Sequence, residues 1–313
     1  MSEEQKQAGR GIKWLIVAIP IWLALSGGVG LWLHFRQEEK NRQKQEHAYR
    51  KDIDGKSLAD DFTKMVDLLG PRHEKSDAAR QSLQRMASMI EGAMGLSNIG
   101  YEVTRAAGRE SQGFSAPVLM ADVLRRKTEQ EIWLIVPYDS PLQLPRGQSS
   151  ASAVAVSLAV AQSLVGRDID HNIRFLFLPA GFAEEQERLD AAAQVKRLIG
   201  AQGTPRLVLV VGGMLHGGKL SVVSRDAGSP TLREMQELVS VAEDASICLQ
   251  DDGEFSSLLA EMNLPAALIG TFPQEPMTAE QEDAMPAAKN LMTQSAAELV
   301  ALLLQLADDV QKN

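Results

Sequence analysis

The sequence predicts an α/β fold: a three-layer sandwich with a mixed, mostly parallel sheet between helices, preceded by one N-terminal transmembrane helix. Three observations carry this. Beyond Gly100, short apolar runs alternate with longer segments of helical periodicity, the pattern of an α/β sandwich. Two of those runs, starting at Ile132 and Leu207, are continuously apolar, as strands buried on both faces are. The third is the stretch 14–33, which holds no charged side chain and matches the ~20 helical residues needed to cross a ~30 Å hydrocarbon core.

That stretch begins at Trp14 and ends at Leu33. Trp14 and Trp32 stand near its two ends, where amphipathic rings favour the headgroup region, and Lys13 and Arg36 bracket it. A second reading is a cleaved signal peptide, since Ala24-Leu25-Ser26 offers small residues to a signal peptidase. Cleavage there would leave the apolar residues 29–35 at the new N-terminus, so an uncleaved anchor is the simpler account. Positive charge lies on both sides: Lys6, Arg10 and Lys13 before the span, and Arg36, Lys40, Arg42, Lys44, Arg50 and Lys51 after it. The charge rule by itself places the following domain in the cytoplasm.

The chain thus divides into a tail and anchor (1–35), a charged stalk (36–56) and one folded domain (57–313). In the domain, Leu58, Phe62, Met65, Val66 and Leu69 recur at helical spacing until Gly70-Pro71 stops the helix. Ser76 is suited to cap a second helix whose apolar face is Leu83, Met86, Ala87, Ile90 and Met94. Strands are expected at 118–124, 132–136, 173–178, 207–211, 220–223 and 266–269, with a small-residue helix at 151–164 and further helices at 232–242 and 255–262. Leu291, Met292, Leu299, Val300, Leu303 and Leu304 mark an amphipathic closing helix.

Composition excludes some functions. The 313 residues carry a net charge of −9, with 41 acidic against 32 basic side chains, so no general attraction to nucleic acid or to an anionic lipid surface is expected. Cys248 is the only cysteine, which rules out an internal disulfide. With apolar Ile247 beside it, it reads as a buried structural thiol.

Three motifs stand in order along the domain: Trp133-Leu134-Ile135-Val136-Pro137-Tyr138-Asp139-Ser140, then Pro145-Arg146-Gly147-Gln148-Ser149-Ser150-Ala151-Ser152-Ala153-Val154, then Ile173-Arg174-Phe175-Leu176-Phe177. Together they resemble the zinc-dependent aminopeptidase family that includes bacterial leucyl aminopeptidases, glutaminyl cyclases and the inactive ectodomain of transferrin receptor. The first looks like that family's apolar strand ending in Ala-His-Tyr-Asp-Ser, and the second like its Pro-Gly-Ala-x-Asp-x-Ala-Ser-Gly-Val. The third matches the strand before its Glu-Glu pair. The resemblance covers roughly residues 57–310, and it implies a domain on the outer (periplasmic or extracellular) side, because the family's members are mostly exported.

A di-zinc hydrolase needs neutral imidazoles and carboxylates around two cations, one carboxylate bridging them and another acting as general base on the bound water. By the resemblance, Pro137 stands at the ligand histidine, which leaves only the supporting carboxylate Asp139. Ser149 stands at the bridging aspartate and Gly213, before Met214, at a third ligand. The final histidine is missing from 271–277. Glu184 and Glu185 are candidates for the Glu-Glu pair, but about three residues late in spacing, and they fit better an exposed acidic helix start beside Glu187 and Asp190. None of the five histidines, His34, His47, His73, His171 and His216, falls at a ligand position.

The implied protein is a degenerate, catalytically inactive aminopeptidase-like domain. It needs no cofactor, is held at the membrane, and serves as a binding or assembly scaffold for a protein or peptide partner. The alternative is a zinc exopeptidase with rearranged ligands drawn from Asp139, Glu184, Glu185, Asp251 and Asp252; carboxylates without histidine rarely make such a site. A serine nucleophile in Gly147-Gln148-Ser149-Ser150-Ala151 would need an apolar strand directly before it, which residues 141–145 do not supply.

Overall fold

The computed structural model describes Trp32, Arg36 and residues 53–106, 115–123, 130–144, 146–167, 171–216, 219–224, 233–235, 245–248, 254–272, 278–284 and 289–308. The chain forms two compact units, Met1–Tyr49 and Arg50–Asn313. The expected membrane span and stalk lie almost wholly outside the described residues. No helix among those described is long and apolar enough to cross a membrane.

The larger unit is built on an eight-stranded sheet. Its strands are β1 (Val103–Arg105), β2 (Leu119–Asp122), β3 (Gln130–Pro137), β4 (Asn172–Leu178), β5 (Thr204–Val211), β6 (Leu220–Val223), β7 (Ala245–Cys248) and β8 (Ala266–Gly270), in the order β1-β2-β4-β3-β5-β8-β6-β7. Neighbours β4, β3, β5 and β8 are parallel throughout, as are β6 and β7; the other pairings are antiparallel. The sheet is therefore mixed and mostly parallel. The two runs expected to be interior, β3 and β5, each have a strand on both sides.

Seven helices are described: α1 (Gly55–Thr63), continued by a π-turn over Lys64–Leu69, α2 (Asp77–Met94), α3 (Gln148–Leu164), α4 (Glu185–Gln202), α5 (Glu254–Glu261), α6 (Ala279–Asp283) and α7 (Lys289–Asp308). Asp54 caps α1 through the N–H of Lys56, and Gly70, at φ 60°, ends the segment. Ser76 caps α2 through the N–H of Ala79, and Leu83, Met86, Ile90 and Met94 are fully buried. Each such side chain contributes ~1.5–3 kcal/mol relative to exposure.

Residue alternation along the strands fixes the two faces of the sheet. Ile132, Leu134 and Val136 pack with α1, α2, α3 and α7, while Trp133 and Ile135 point the other way, to Ala191, Val195 and Ile199 of α4 and Phe255 and Leu259 of α5. The chain steps from β3 to β4 on one side, then crosses back past β3 to reach β5. Right-handed crossovers in opposite directions lie on opposite faces, which puts α3 and α4 on different sides of the sheet. Crevices in such folds form at the carboxyl ends of strands where the connection reverses. At the other edge Arg174 is buried between Asp122 (2.7 Å) and Glu131 (3.1 Å), its guanidinium 4.8 Å from the centre of the Trp133 ring.

Several elements differ from the sequence reading. The three residues of β1 and the sequence Ala-Ser-Ile-Cys of β7 are too short for periodicity to register. Helix α3 begins at Gln148 rather than 151, because a distant side chain caps it. Of the helix expected at 232–242, only 233–235 are described, and they are helical.

Candidate functional site

Strands β3, β4, β5 and β8 end together along one edge, and the three sequence motifs converge there. Pro137 is the last residue of β3, in register with Leu178 of β4. Its ring rests on Gly181: a β-carbon at 181 would lie 2.4 Å from Pro137 Cβ and 2.6 Å from Cγ, so only glycine fits. Tyr138 is buried, its N–H donating to Leu178 O (2.9 Å) and its hydroxyl to Pro117 O (2.5 Å). Asp139 is buried too. Its Oδ1 accepts from the N–H of Gly181 and its Oδ2 from the N–H of Phe182, both at 2.8 Å. Burial pushes its carboxyl up to about 7, against the backbone N–H groups and the Arg72 cation, which pull it down.

Arg72, in the loop between α1 and α2, is the centre of this edge. Its guanidinium donates to Tyr138 O (3.1 Å), Met65 O (3.2 Å), Gly70 O (2.6 Å), Gly147 O (2.9 Å) and Ser150 Oγ (2.8 Å). Its backbone pairs with Ser140: Arg72 N–H donates to Ser140 Oγ (2.9 Å), and Ser140 N–H to Arg72 O (2.7 Å). Burial lowers the guanidinium to about 10, while Asp139 and Asp283 raise it. The first and second motifs are thus tied together through one buried cation.

The other candidates are arranged around this centre. Ser149 is half-buried in the first turn of α3, and its carbonyl accepts from Ser152 Oγ (2.6 Å). Ser152 Oγ accepts in turn from the N–H of Met214 (2.9 Å), joining α3 to the end of β5. Gly213 has no side chain to offer, and its carbonyl accepts from the N–H of Thr271 (2.9 Å). Glu184 is the residue before α4, 59% exposed in its side chain, paired with Lys75 at 2.8 Å; Glu185 opens the helix and is exposed. They form an acidic helix start, with Glu184 on the rim of a small pocket it shares with Asp139, His73, Lys75, Phe182 and Glu187.

Comparison with solved structures bears on this architecture. The chain superimposes on the LapA aminopeptidase of Legionella pneumophila with a TM-score of 0.64 at 14% identity, over 85% of this chain and 73% of that one. On BSAP, a zinc aminopeptidase from Bacillus subtilis, the TM-score is 0.62 at 12% identity, over 84% and 98%. On the glutaminyl cyclase of Fimbriiglobus ruber it is 0.55 at 14%, over 82% and 96%. The fold is that of the zinc aminopeptidases. No family model matches the sequence, and no curated protein matches it.

The aminopeptidase fold implies a zinc pair, and the residues at the matched positions do not fit one. Pro137 has no donor atom, and its ring occupies the surface of Gly181. Asp139 is left without a histidine beside it, and each of its oxygens accepts from a backbone N–H group. Ser149 offers a neutral hydroxyl where two divalent cations need a bridging carboxylate. Among the described residues no group of three histidine, cysteine, aspartate or glutamate side chains could hold a metal ion.

The histidines do not repair this. His73 lies on the pocket rim, its Nδ1 accepting from the N–H of Lys75 (3.3 Å), and burial lowers its pKa. His171 bonds Ala307 O (2.9 Å) and Arg206 (3.2 Å) at the end of α7. His216 is buried and donates its backbone N–H to Thr271 Oγ1 (3.1 Å). His34, His47, Asp251, Asp252 and residues 273–277 lie outside the described residues. Ser150, the buried serine of the hydrolase-like stretch, bonds Arg72 and Gly147 O, and the described residues between β3 and α3, 138–144 and 146–147, are not strand.

Sequence reasoning missed Arg72 and Asp283. Each is one charged residue in a polar stretch, and its burial depends on partners 66 to 137 residues away.

Proposed function

We propose that this chain is a membrane-tethered, catalytically inactive protein of aminopeptidase fold, acting as a binding or assembly scaffold for a protein or peptide partner. The observation that carries the reading is the state of Asp139. It is the one carboxylate kept from the matched ligand motif; each of its oxygens accepts from a backbone N–H, of Gly181 and of Phe182, and Pro137 stands where the ligand histidine would be. Without metal-activated water, peptide hydrolysis at this edge has no nucleophile. The surface around the small pocket is of mixed polarity, through His73, Lys75, Phe182, Glu184 and Glu187.

The test is elemental analysis of the full-length protein purified in detergent, together with assays on amino-acid amides. No stoichiometric zinc and no turnover are expected. One or two zinc ions per chain, with hydrolysis lost on chelation, would replace the scaffold by the rearranged-ligand exopeptidase. For the tether, the segment that starts at Trp14 and ends at Leu33 is expected to resist extraction by salt and alkali and to need detergent. A mature N-terminus at Gly27 would show a cleaved signal instead. The domain is expected on the outer side, open to protease in intact cells; protection until lysis would reverse that.

A further inference from the structure

Helix α3 starts without a cap of its own. Gly147, the residue before it, is left-handed (φ 56°, ψ 43°) and has no side chain to turn towards the first N–H groups. A β-carbon there would lie 2.6 Å from Ser140 Cβ and 2.9 Å from Arg72 Nη2, so no capping side chain can be accommodated at 147. The cap arrives from 135 residues away. Asp283, at the end of α6, accepts from the N–H of Arg146 on Oδ2 (2.8 Å) and from the N–H of Gln148 on Oδ1 (3.0 Å), and the Gln148 side-chain amide donates to its carbonyl. Arg72 adds a favourable charge close by.

Among the described residues, the other hydrogen bonds of the segment carrying Asp283 are made within the segment itself. Thr278 and Gln281 cap one another, Thr278 N–H to Gln281 Oε1 (2.8 Å) and Gln281 N–H to Thr278 Oγ1 (3.2 Å), which makes α6 a local, self-contained turn. Thr278, Glu280, Gln281 and Ala284 are exposed, whereas Asp283 is buried. Among the described residues, 278–284 is attached to the head of α3 through Asp283, by its carboxylate and by the carbonyl that accepts from the Gln148 side chain, and Ala284 is exposed.

We infer that Asp283 is a latch: it pins segment 278–284 over the head of α3, and its loss releases that segment while the domain stays folded. Release uncovers the N–H groups of Arg146 and Gln148 beside the buried Arg72, at the same edge of the sheet as Asp139. The latch stands on the capping geometry and goes beyond the scaffold reading, so the two fail separately.

Hydrogen exchange on the full-length protein in detergent tests it, comparing wild type, Asp283→Ala and Asp283→Asn. In Asp283→Ala, amides of 278–284 and of Arg146 and Gln148 are expected to exchange about tenfold faster, the scale of a lost helix cap, with β3 and β5 unchanged. Asp283→Asn keeps one acceptor oxygen and is expected to give a smaller rise at the same amides. Unchanged exchange at 278–284 in Asp283→Ala overturns the latch. So does a parallel rise in β3 and β5, or failure of either variant to fold, because the segment would then belong to the global core.

Discussion

The ring of Pro137 and the α-carbon of Gly181 are in direct contact, so that the end of β3 and the turn after β4 close on one another with no room for a β-carbon between them. The neighbouring Asp139 carboxylate fastens the same turn, through Gly181 and Phe182. At this edge the strands are joined by direct protein contacts.

Gly181→Ala is therefore expected to destabilise the domain by about 2–3 kcal/mol, the cost of forcing a methyl group into a filled space. Adding Pro137→Gly, which removes both the β- and γ-carbons that a methyl group at 181 would meet, should recover a large part of that loss. Denaturant unfolding of both single variants and the double variant measures the coupling. Additive effects would show that the turn yields without the ring.

Arg72→Ala removes five hydrogen bonds and leaves buried carbonyls without donors, for an expected loss of about 3–5 kcal/mol. Arg72→Lys should rescue little. A lysine ammonium cannot reach Tyr138 O, Gly147 O and Gly70 O from one planar fork. Thermal unfolding of the two variants checks this, and near-native stability of Arg72→Lys would contradict it.

The Asp139 carboxyl is raised from 3.8 to about 7 in the folded chain. Between those values the folded state holds a proton that the unfolded state releases. The stabilising contribution is thus full at acid pH, falls as pH rises from 3.8 to 7, and levels off above. The slope approaches ~1.4 kcal/mol per pH unit within that window. Asp139→Asn does not titrate, so the stability difference between wild type and variant should change with this slope. A pH-independent difference would place the folded carboxyl at its ordinary value.

Restoring the matched ligands together, Pro137→His, Ser149→Asp and Gly213→Asp, is expected to give weak zinc binding at most and no peptidase activity. The histidine would be built against Gly181, and Glu184 and Glu185 face solvent at the start of α4. Displacement of ~1 Å already costs a catalytic site ~100-fold. Stability should fall as well, from carboxylates crowded without a cation. Calorimetric zinc titration with a chelator-controlled amidase assay checks the set, and substantial chelator-sensitive hydrolysis would show that the geometry persists.

Periodicity and local chemistry determined much of this protein before any coordinates. The face Leu83, Met86, Ala87, Ile90 and Met94, the Ser76 cap, and the interior character of β3 and β5 are all local patterns, because helix and strand geometry repeats within a few residues. The motif around Asp139 likewise placed the chain among the aminopeptidase folds. The tertiary structure alone decided how that edge is bonded. Asp139 is committed to Gly181 and Phe182, 42 and 43 residues away, Arg72 reaches Gly147 across 75, and Asp283 caps a helix 135 residues before it. A buried charge is stable only where its partners converge, and that convergence depends on the folding of the intervening chain, which no local pattern of residues records.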